Sequence, residues 1–455
     1  MGITEQVADF IVNTTIQKMP SQAVKIAKDA ILDCLGVMLA GAATDEGKIM
    51  TRFVRDVGGN PVSTVVGGGF RTSAPWAALA NGTMGHAEDF DDSGFAILGH
   101  PSVPVLPAIL ALGEQCKASG KDVIEAYIVG FEVESKLGLA VIPSGHYGRG
   151  WHATATLGAM GAAAASAHML KLDLNQTRMA LGIAASQVSG VRQNFGTMTK
   201  PFHAGHAARN GVVAAMLAKL GFTAHADIIE EKLGFCNVFK GDNPCELGSI
   251  VSGLGETYEI TTSGIAFKLF PSCHETHACI HTVLDLRLEH GIEPQDVESI
   301  DCVISELIAT VAFYTEPKTG LEGKFSVEYC IARALYDGKV ALEDFTDKSV
   351  NQPQVREIMK KIRRHLDPSQ PGLSLIEMTI KMKDGREFYK RSDEILKGFP
   401  QRPLSREELT GKYRQCARIL LSAEDVERSL ALVESLENLR DISELTATVM
   451  NQTAS

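Results

Sequence analysis

A series of helical patterns between residues 106 and 220 constrains the fold of this chain more than any other feature. Apolar residues recur there at the spacing of a buried helix face. The predicted helices cover 106–116, 123–142, 153–170, 175–188 and 206–220. Within the third helix, the tract Gly158–Ala167 consists mostly of small residues, which let helices pack closely. We therefore expect a buried helical bundle.

The third predicted helix could also be interpreted as a membrane span. His152 and His168 enclose only about 15 mostly apolar residues, whereas a bilayer requires roughly 20. Buried core is therefore the better interpretation, and we expect no membrane association.

Other helical patterns precede and follow this region. They cover 4–16, 21–43 and 76–88, and they return from residue 403 to residue 439. From about residue 256 onward, β-branched and alternating runs predict strands. The predicted strands cover 258–270, 300–308 and 373–389, and they are interleaved with helices over 275–290, 326–336 and 353–365. With a hairpin turn signal at Lys383-Asp-Gly385, this interleaving indicates an α+β unit.

Composition limits the function classes. The formal net charge is −11 at pH 7, which argues against nucleic acid or an anionic membrane as the main partner, because both bind basic surfaces. The nine cysteines include no Cys-x-x-Cys pair, so we expect reduced thiols and no iron–sulfur cluster. Gly67-Gly-Gly69 lacks the lysine of a phosphate-binding loop and predicts a turn. No signal-peptide pattern begins the sequence, and we predict a cytoplasmic protein without a cofactor.

The densest set of titratable groups lies between His86 and His100. Four carboxylates occupy five positions there, namely Glu88, Asp89, Asp91 and Asp92. Crowding and burial separate the pKa values of such groups, which suits acid–base chemistry. Glycines and a proline interrupt the helical pattern here, so we predict a loop between two helices, where functional groups tend to lie. An acidic, solvated loop with a capping histidine is the alternative.

This stretch and four further blocks resemble the signature of the MmgE/PrpD family, which includes 2-methylcitrate dehydratase, cis-aconitate decarboxylase and iminodisuccinate epimerase. The blocks are His86-Ala-Glu-Asp-Phe-Asp-Asp-Ser93 with His100-Pro-Ser, Gly150-Trp-His-Ala-Thr-Ala-Thr-Leu-Gly158, Gly196-Thr-Met-Thr-Lys-Pro-Phe-His-Ala-Gly205, Lys268-Leu-Phe-Pro-Ser-Cys273 with Thr276-His277, and Phe325-Ser-Val-Glu-Tyr329. One block alone would be weak, but five in the family's order make the match specific.

The resemblance implies a two-domain fold, mainly α with an α+β second domain. It implies that residues 1–256 and 396–455 form the helical domain and that 257–395 form the α+β domain. The sequence alone leaves open whether the C-terminal tail is a third domain. A chain of 455 residues is too long for one compact core, which agrees with two domains. We expect the pocket between the domains, and the resemblance also implies a homodimer.

The resemblance assigns the candidate site as well. It implies catalytic roles for His100, His152, Asp89 and Tyr329, and substrate binding by Ser93, Lys200, His203, Lys268 and Cys273. Without it, a histidine is more often structural, a lysine is more often solvated, and Tyr329 is equally suited to an apolar helix face.

Two His-x-x-His spacings raise the question of a metal. His203 with His206 and His274 with His277 have this spacing. Neither pair has a carboxylate ligand at helical spacing or a cysteine-rich partner, so zinc is disfavoured. We predict no metal.

The chemistry implied by the resemblance takes place at the carbon next to a carboxylate in small di- and tricarboxylates. Such a site needs a base, an acid and cations over the carboxylate oxygens. Ser93 and Cys273 depart from the animal cis-aconitate decarboxylases, where threonine and histidine are expected. We therefore predict a metal- and cofactor-independent hydro-lyase that dehydrates a 2-methylcitrate-like hydroxy acid. The alternatives are an iminodisuccinate-like epimerase, a cis-aconitate decarboxylase and a non-catalytic polycarboxylate-binding protein.

Overall fold

A computed structural model describes residues 1–370, 372 and 375–450. The chain divides into two compact units, which we call the helical unit and the mixed unit. The helical unit comprises Met1–Gln193, Thr199–Phe267 and Leu404–Ser455, and the mixed unit comprises Asn194–Met198 and Lys268–Pro403. This confirms the predicted fold class, mainly α with an α+β part. Positions 373 and 374 of the last predicted strand and residues 451–455 of the predicted helical domain lie outside the described residues.

The first part of the helical unit consists of helices with short strands between them. In chain order the helices are α1 (Ile3–Asn13), α2 (Ser21–Ala42), α3 (Asp45–Val57), α4 (Ala74–Ala87), α5 (Ser102–Cys116), α6 (Gly120–Val141), α7 (Ala153–Met169), α8 (Leu174–Ala185), α9 (Thr199–Lys219), α10 (Phe235–Phe239) and α11 (Gly248–Val251). The strands are β1 (Ser63–Val65), β2 (Phe70–Thr72), β3 (Ser93–Gly94) and β4 (Ile265–Ala266). The antiparallel pairs are β1 with β2 and β3 with β4.

The mixed unit contains a four-stranded sheet and several helices. Its helices are α12 (His277–His290), α13 (Glu306–Val311), α14 (Gly320–Gly323), α15 (Val327–Asp337), α16 (Asp347–Val350) and α17 (Pro353–Met359). Its strands are β5 (Val297–Ile304), β6 (Ile362–Leu366), β7 (Glu377–Met382) and β8 (Glu387–Arg391), in the order β6-β5-β7-β8. Only the β5–β6 pair is parallel among these. The turn predicted at Lys383-Asp-Gly385 joins β7 to β8, and Gly385 has a φ of 89°.

The chain then returns to the helical unit with α18 (Arg406–Ala417), α19 (Ala423–Glu434) and α20 (Ser443–Thr448). Helix α18 lies against α2, where its Tyr413 side chain contacts the backbone of Gly36. A Cβ atom at position 36 would lie 3.1 Å from the Tyr413 ring, so the glycine allows this close approach.

Small residues bring the central helices together, as the sequence predicts. Helix α7 contacts α6, α5 and α9, and its alanines are buried in the same core as α2, α4 and α5. A Cβ atom at Gly211 on α9 would lie 2.6 Å from the Ala162 Cβ atom on α7. Among the described residues, no helix is both long enough and apolar enough to cross a membrane.

Two element predictions are wrong. The helix predicted over 353–365 ends at Met359, and the chain continues as β6, which pairs with β5. The strand predicted over 258–270 is limited to β4. Tyr258 and Ile260 instead lie in the core of the helical unit, so the unit boundary falls at 267/268 where the sequence predicted 256/257. The second boundary falls at 403/404 instead of 395/396.

Candidate active site

The acidic stretch forms a loop between two helices of the helical unit. Helix α4 ends at Ala87 and α5 begins at Ser102. Asp89 adopts a left-handed backbone with a φ of 50°, a conformation that aspartate tolerates better than most residues. All three aspartates of the loop are buried, namely Asp89, Asp91 and Asp92. The alternative of an acidic, solvated loop is therefore wrong.

Asp91 joins two imidazole rings. Its Oδ2 atom lies 2.9 Å from His86 Nδ1 and 3.0 Å from His100 Nδ1. The main-chain oxygen of Asp92 also lies 2.9 Å from His100 Nδ1. Because these oxygens only accept, both Nδ1 atoms carry hydrogen and donate. The Nε2 atoms of His86 and His100 are therefore the positions that can exchange a proton.

His152 and His203 form a second imidazole pair. His152 directly precedes α7, and His203 lies in the first turns of α9. Their Nδ1 atoms are 3.0 Å apart, so one ring donates and the other accepts. The His86 ring connects the two pairs, with centroid distances of 4.4 Å to His100 and 5.8 Å to His152. The four rings thus form one continuous array.

Lys200 supplies a cation at the edge of this array. Its Nζ atom lies 3.1 Å from Asp89 Oδ2, and the other oxygen of Asp89 lies 3.7 Å from His100 Nε2. The helix predicted over 206–220 begins earlier, because α9 starts at Thr199 and includes Pro201 in its first turn. Proline is tolerated there because its missing N–H would have no helical partner. The early helix start places Lys200 and His203 on the same helix.

Burial controls the protonation of the array. Burial lowers the pKa of His86 to about 4 and that of His203 to about 4, and it holds the pKa of His152 well below its ordinary value. Burial alone would raise the pKa of Asp91, but the imidazoles of His100 and His86 hold it well below 3.8. At neutral pH the imidazoles of His86, His152 and His203 are therefore neutral, and Asp91 is ionised.

Asp92 has the opposite protonation state. Burial, followed by the charge of Asp33, raises the pKa of Asp92 to about 8. Its side chain accepts from the Ser102 hydroxyl and from the Ser102 main-chain N–H at 3.3 Å. Two adjacent aspartates thus differ in charge at neutral pH, since one faces imidazoles and the other faces a second buried carboxylate.

The side chains that could hold a metal ion are His86, Asp89, Asp91 and His100. Each offers one ligand atom, and these atoms lie within 4.8 Å of one another. Within the described part of the chain, however, Asp91 accepts from His86 Nδ1 and lies 3.0 Å from His100 Nδ1, and Asp89 faces the Lys200 ammonium. These contacts give the carboxylates cationic or donor partners from the protein itself. The absence of a metal stays a prediction.

The position of Ser93 is fixed by the backbone. Ser93 lies in β3, opposite Ala266 of β4. The strand is followed by a short closed loop in which Gly94 N–H donates to Gly99 O at 2.8 Å. The main-chain N–H of His100 then donates to Thr154 Oγ1 at 3.0 Å. Ser93 thus lies in the segment that connects the acidic loop to His100.

The remaining predicted site residues belong to the mixed unit. Lys268 is fully buried, and Cys273 is buried with its Sγ atom 2.7 Å from Glu275 Oε2. The Tyr329 hydroxyl donates to the main-chain oxygen of Asp344, and burial raises the pKa of Tyr329 far above its ordinary value. These contacts favour the structural role of Tyr329 that we weighed against the catalytic one.

The two His-x-x-His spacings differ in the structure. His203 and His206 have separate partners, whereas the His274 and His277 rings lie together, with centroids 4.9 Å apart. His203 is paired with His152, whereas the His206 ring stacks on Phe202 with centroids 5.5 Å apart. In the mixed unit, His277 Nε2 faces the main-chain oxygen of Phe270 at 3.1 Å. The first spacing therefore reflects helix geometry and separate contacts, and the absence of a metal at either pair stays a prediction.

Sequence reasoning missed His86 as a site residue and treated Asp91 only as a second choice to Asp89. His86 ends an apolar helix pattern and is fully buried, so it resembles a core residue. The spacing His86-x-x-x-x-Asp91 was the available signal, because a residue at a helix end can meet one five positions later when the chain reverses.

The fold and this site define a mainly helical protein that gathers imidazoles, an ionised aspartate and a lysine ammonium in one buried cluster. The chain belongs to the MmgE/PrpD family. Residues 5–248 match the MmgE/PrpD N-terminal domain and residues 270–438 match the MmgE/PrpD C-terminal domain. The second match includes α18 and α19, which pack in the helical unit.

Curated relatives support the same assignment over nearly the whole chain. Cis-aconitate decarboxylases of Mus musculus and Homo sapiens are each 32% identical over 98% of this chain, covering 93% and 94% of their own lengths. Cis-aconitate decarboxylase of Aspergillus terreus is 28% identical over 98% of this chain and 95% of its own length. The protein is thus similar to family members named for a reaction of a tricarboxylate.

Proposed function

We propose that this protein is a metal- and cofactor-independent enzyme that moves a proton at the carbon next to a carboxylate of a small tricarboxylate. The observation that carries the proposal is the Asp91 carboxylate shared by His86 and His100, beside Lys200 on Asp89. An ionised aspartate behind an imidazole fixes its tautomer and stabilises the imidazolium form. Lysine neutralises a substrate carboxylate as a compact charge.

The leading reaction is decarboxylation of cis-aconitate. The bond from carbon to the departing carboxylate breaks, its electron pair forms a new double bond, and the former alkene carbon takes up one proton. His100 is the proposed donor, because its side chain keeps 12% exposure while His86 and Asp91 are fully buried. A bound trianion raises the pKa of nearby imidazoles, since the opposite charge favours their protonated form. Substrate binding thus prepares the acid.

The similarity to cis-aconitate decarboxylases of mouse and human favours this reaction over the dehydration that the sequence predicted. Dehydration of a 2-methylcitrate-like hydroxy acid remains the second candidate because of Cys273. A thiol that faces Glu275 at 2.7 Å differs chemically from the histidine expected there in a decarboxylase. Under dehydration, one imidazole would take the proton from carbon and another would protonate the leaving hydroxyl.

Further assignments belong to the same proposal. His152 is the second proton carrier, with its tautomer set by His203, and Lys268, Ser93 and Cys273 contact the substrate. We also propose a homodimer and a cytoplasmic location. The oligomeric state is testable by light scattering during size-exclusion chromatography, where a single species of one chain mass would contradict the dimer.

The experiment is proton NMR of chelator-treated protein in D2O with cis-aconitate, 2-methylcitrate, citrate, malate and iminodisuccinate. Itaconate from cis-aconitate, with deuterium at the protonated carbon, is the expected result. A vinylic product from 2-methylcitrate would support the dehydratase, and deuterium exchange without net change would support the epimerase. Silence across the panel, with the protein folded, would contradict the enzyme proposal and favour a polycarboxylate-binding protein.

A further inference from the structure

The loop that carries Asp89, Asp91 and Asp92 needs support from outside itself. Asp89 has a left-handed backbone, with a φ of 50°, which an L-residue adopts only at an energetic cost. All three carboxylates are buried close to one another. Strained and crowded backbone of this kind persists when surrounding contacts hold it.

One such contact comes from the C-terminal helix α18. The ammonium of Lys412 donates to the main-chain oxygen of Phe90 at 2.7 Å and lies 4.1 Å from the centroid of the Phe90 ring. Phe90 is the residue between Asp89 and Asp91, and its oxygen belongs to the peptide group that leads into Asp91. Lys412 therefore fixes the orientation of the peptide that carries the shared carboxylate.

The charge of Lys412 is matched inside the protein. Its Nζ atom lies 2.7 Å from Asp33 Oδ1 on α2, and the Lys412 side chain is only 7% exposed. An ammonium has three donors around a single point charge, so it can meet a carboxylate, a carbonyl oxygen and a ring face together. The same Asp33 charge helps to keep Asp92 protonated. The pair thus affects both chain neighbours of Asp91, because Lys412 binds the Phe90 oxygen and Asp33 favours the protonated form of Asp92.

We propose that Lys412 is a positioning residue for the acid–base site. It holds the Phe90–Asp91 peptide, and through it the Asp91 carboxylate, within 3.0 Å of the Nδ1 atoms of both His86 and His100. Lys412 does not touch the reacting atoms in this role. The activity readout rests on the proposed function, whereas the positioning itself can be observed on the histidines alone.

The main variant removes the ion pair as a unit. Lys412→Met alone leaves Asp33 buried without its partner, which is expected to destabilise the fold. The double variant Asp33→Asn with Lys412→Met leaves no unpaired charge and should keep the wild-type circular dichroism. Tyr413→Phe is the matched control. Tyr413 is buried and lies next to Lys412 on α18, and the substitution removes its hydrogen bond with Ser429 without changing a contact to the loop.

The first readout is nitrogen-15 NMR of the histidine rings, assigned with His86→Gln and His100→Gln variants. Wild type and Tyr413→Phe should show protonated Nδ1 atoms with slowly exchanging, downfield protons at both histidines. The double variant should lose or broaden these signals while remaining folded. Unchanged signals in a folded double variant would overturn the proposal, whatever reaction the protein catalyses.

The second readout is the pH profile of turnover. An aspartate displaced from His100 no longer stabilises its protonated form, so the limb of the kcat profile that reports this histidine should move by about one pH unit toward lower pH. We expect kcat to fall about tenfold with little change in KM. A uniform loss of activity without a pH shift would indicate a merely structural residue. If wild type turns over none of the panel, the proposed function fails while the NMR result still decides the role of Lys412.

Discussion

At the scale of single residues, the chemistry depends on which nitrogen of each ring carries hydrogen. Asp91 accepts the Nδ1–H group of His86 and lies 3.0 Å from His100 Nδ1, which donates to the Asp92 main-chain oxygen. This leaves the two Nε2 atoms for proton exchange. The arrangement resembles a catalytic triad, except that the orienting carboxylate lies beside two imidazole rings.

We predict that Asp91→Asn lowers kcat by roughly 10²- to 10⁴-fold. An asparagine amide offers one acceptor and an –NH2 group that opposes an Nδ1–H, so at least one ring must turn to the other tautomer. The comparison is Asp92→Asn, which resembles the protonated Asp92 present below a pKa of about 8, and its kcat should stay within about tenfold of wild type. Equal losses in both variants would contradict this interpretation of Asp91.

We predict that His203→Leu lowers kcat more than His203→Asn. Leucine removes the Nδ1 partner of His152, whereas an asparagine amide can replace it as donor or acceptor near 3.0 Å. Steady-state kinetics should give a loss on the order of 10²-fold for leucine and a clearly smaller one for asparagine. If the two variants lose equal activity, His203 does not act by fixing the tautomer of His152.

Site residues that lie in sequence motifs were predictable, whereas buried residues that are recognised only by their partners were not. Asp89, His100, His152, Lys200 and His203 were named from sequence motifs, and the structure brings them into one cluster. His86 was missed because a histidine at the end of an apolar helix is indistinguishable from a core residue without its partner. Lys412 was missed because it lies 322 residues from Phe90, and no local pattern marks a lysine that reaches across the fold.

At the scale of elements, α4 and α9 approach each other through glycine. A Cβ atom at Gly205 on α9 would lie 2.1 Å from Leu79 O and 2.3 Å from Thr83 Oγ1 on α4. Both helices carry site residues near their ends, with His86 on α4 and Lys200 on α9. Their close contact therefore sets the distance between the imidazole array and the lysine.

We predict that Gly205→Ala destabilises the protein by about 1–3 kcal/mol or more, because backbone must move to admit the methyl group. The matched control is Gly411→Ala in α18, where an added Cβ atom meets nothing within 4 Å. That variant should gain about 0.5–1 kcal/mol from the better helix propensity of alanine. Thermal unfolding followed by circular dichroism measures both, and a tolerated Gly205→Ala would contradict the close approach.

The type of an element was predictable where its sequence pattern was long. The boundaries of an element were not predictable where pairing with another element decides them. The Ala-rich helices follow from their periodicity, and the β7–β8 hairpin follows from Lys383-Asp-Gly385. Strand β6 was taken for the end of a helix because its strand state depends on parallel pairing with β5. Helix α9 starts seven residues earlier than predicted since Pro201 suits a first turn.

At the scale of the whole molecule, buried carboxyl groups make stability depend on pH. Burial raises the pKa of Glu132 to about 8, and that of Asp92 also lies at about 8. A group with a raised folded-state pKa contributes stability that is lost as pH rises through that value. The buried histidines contribute a slope of the opposite sign, because their folded-state pKa is lowered while an unfolded histidine still binds part of a proton near pH 6.5. This contribution fades toward pH 8 and is common to wild type and to a variant of Glu132.

We therefore predict that Glu132→Gln flattens the fall of unfolding free energy between pH 6.5 and 8. The loss of slope should approach about 1.4 kcal/mol per pH unit, the value for one proton. Urea unfolding at several pH values measures the slope in both proteins. The same slope in wild type and variant would mean that Glu132 is ionised in the folded protein at neutral pH.

The return of the chain to the helical unit has a consequence for synthesis. Ribosomes release the N-terminus first, so α4, the acidic loop, α7 and α9 are all made before Lys412 exists. While the mixed unit is being translated, α18 has not yet been made. The surface of α2 that carries Asp33 and Gly36 is therefore not yet packed against that helix. A nascent chain that ends before residue 404 therefore has every member of the imidazole array but not the lysine that holds their shared aspartate. The support that Lys412 gives to this loop should therefore form only after α18 has been made.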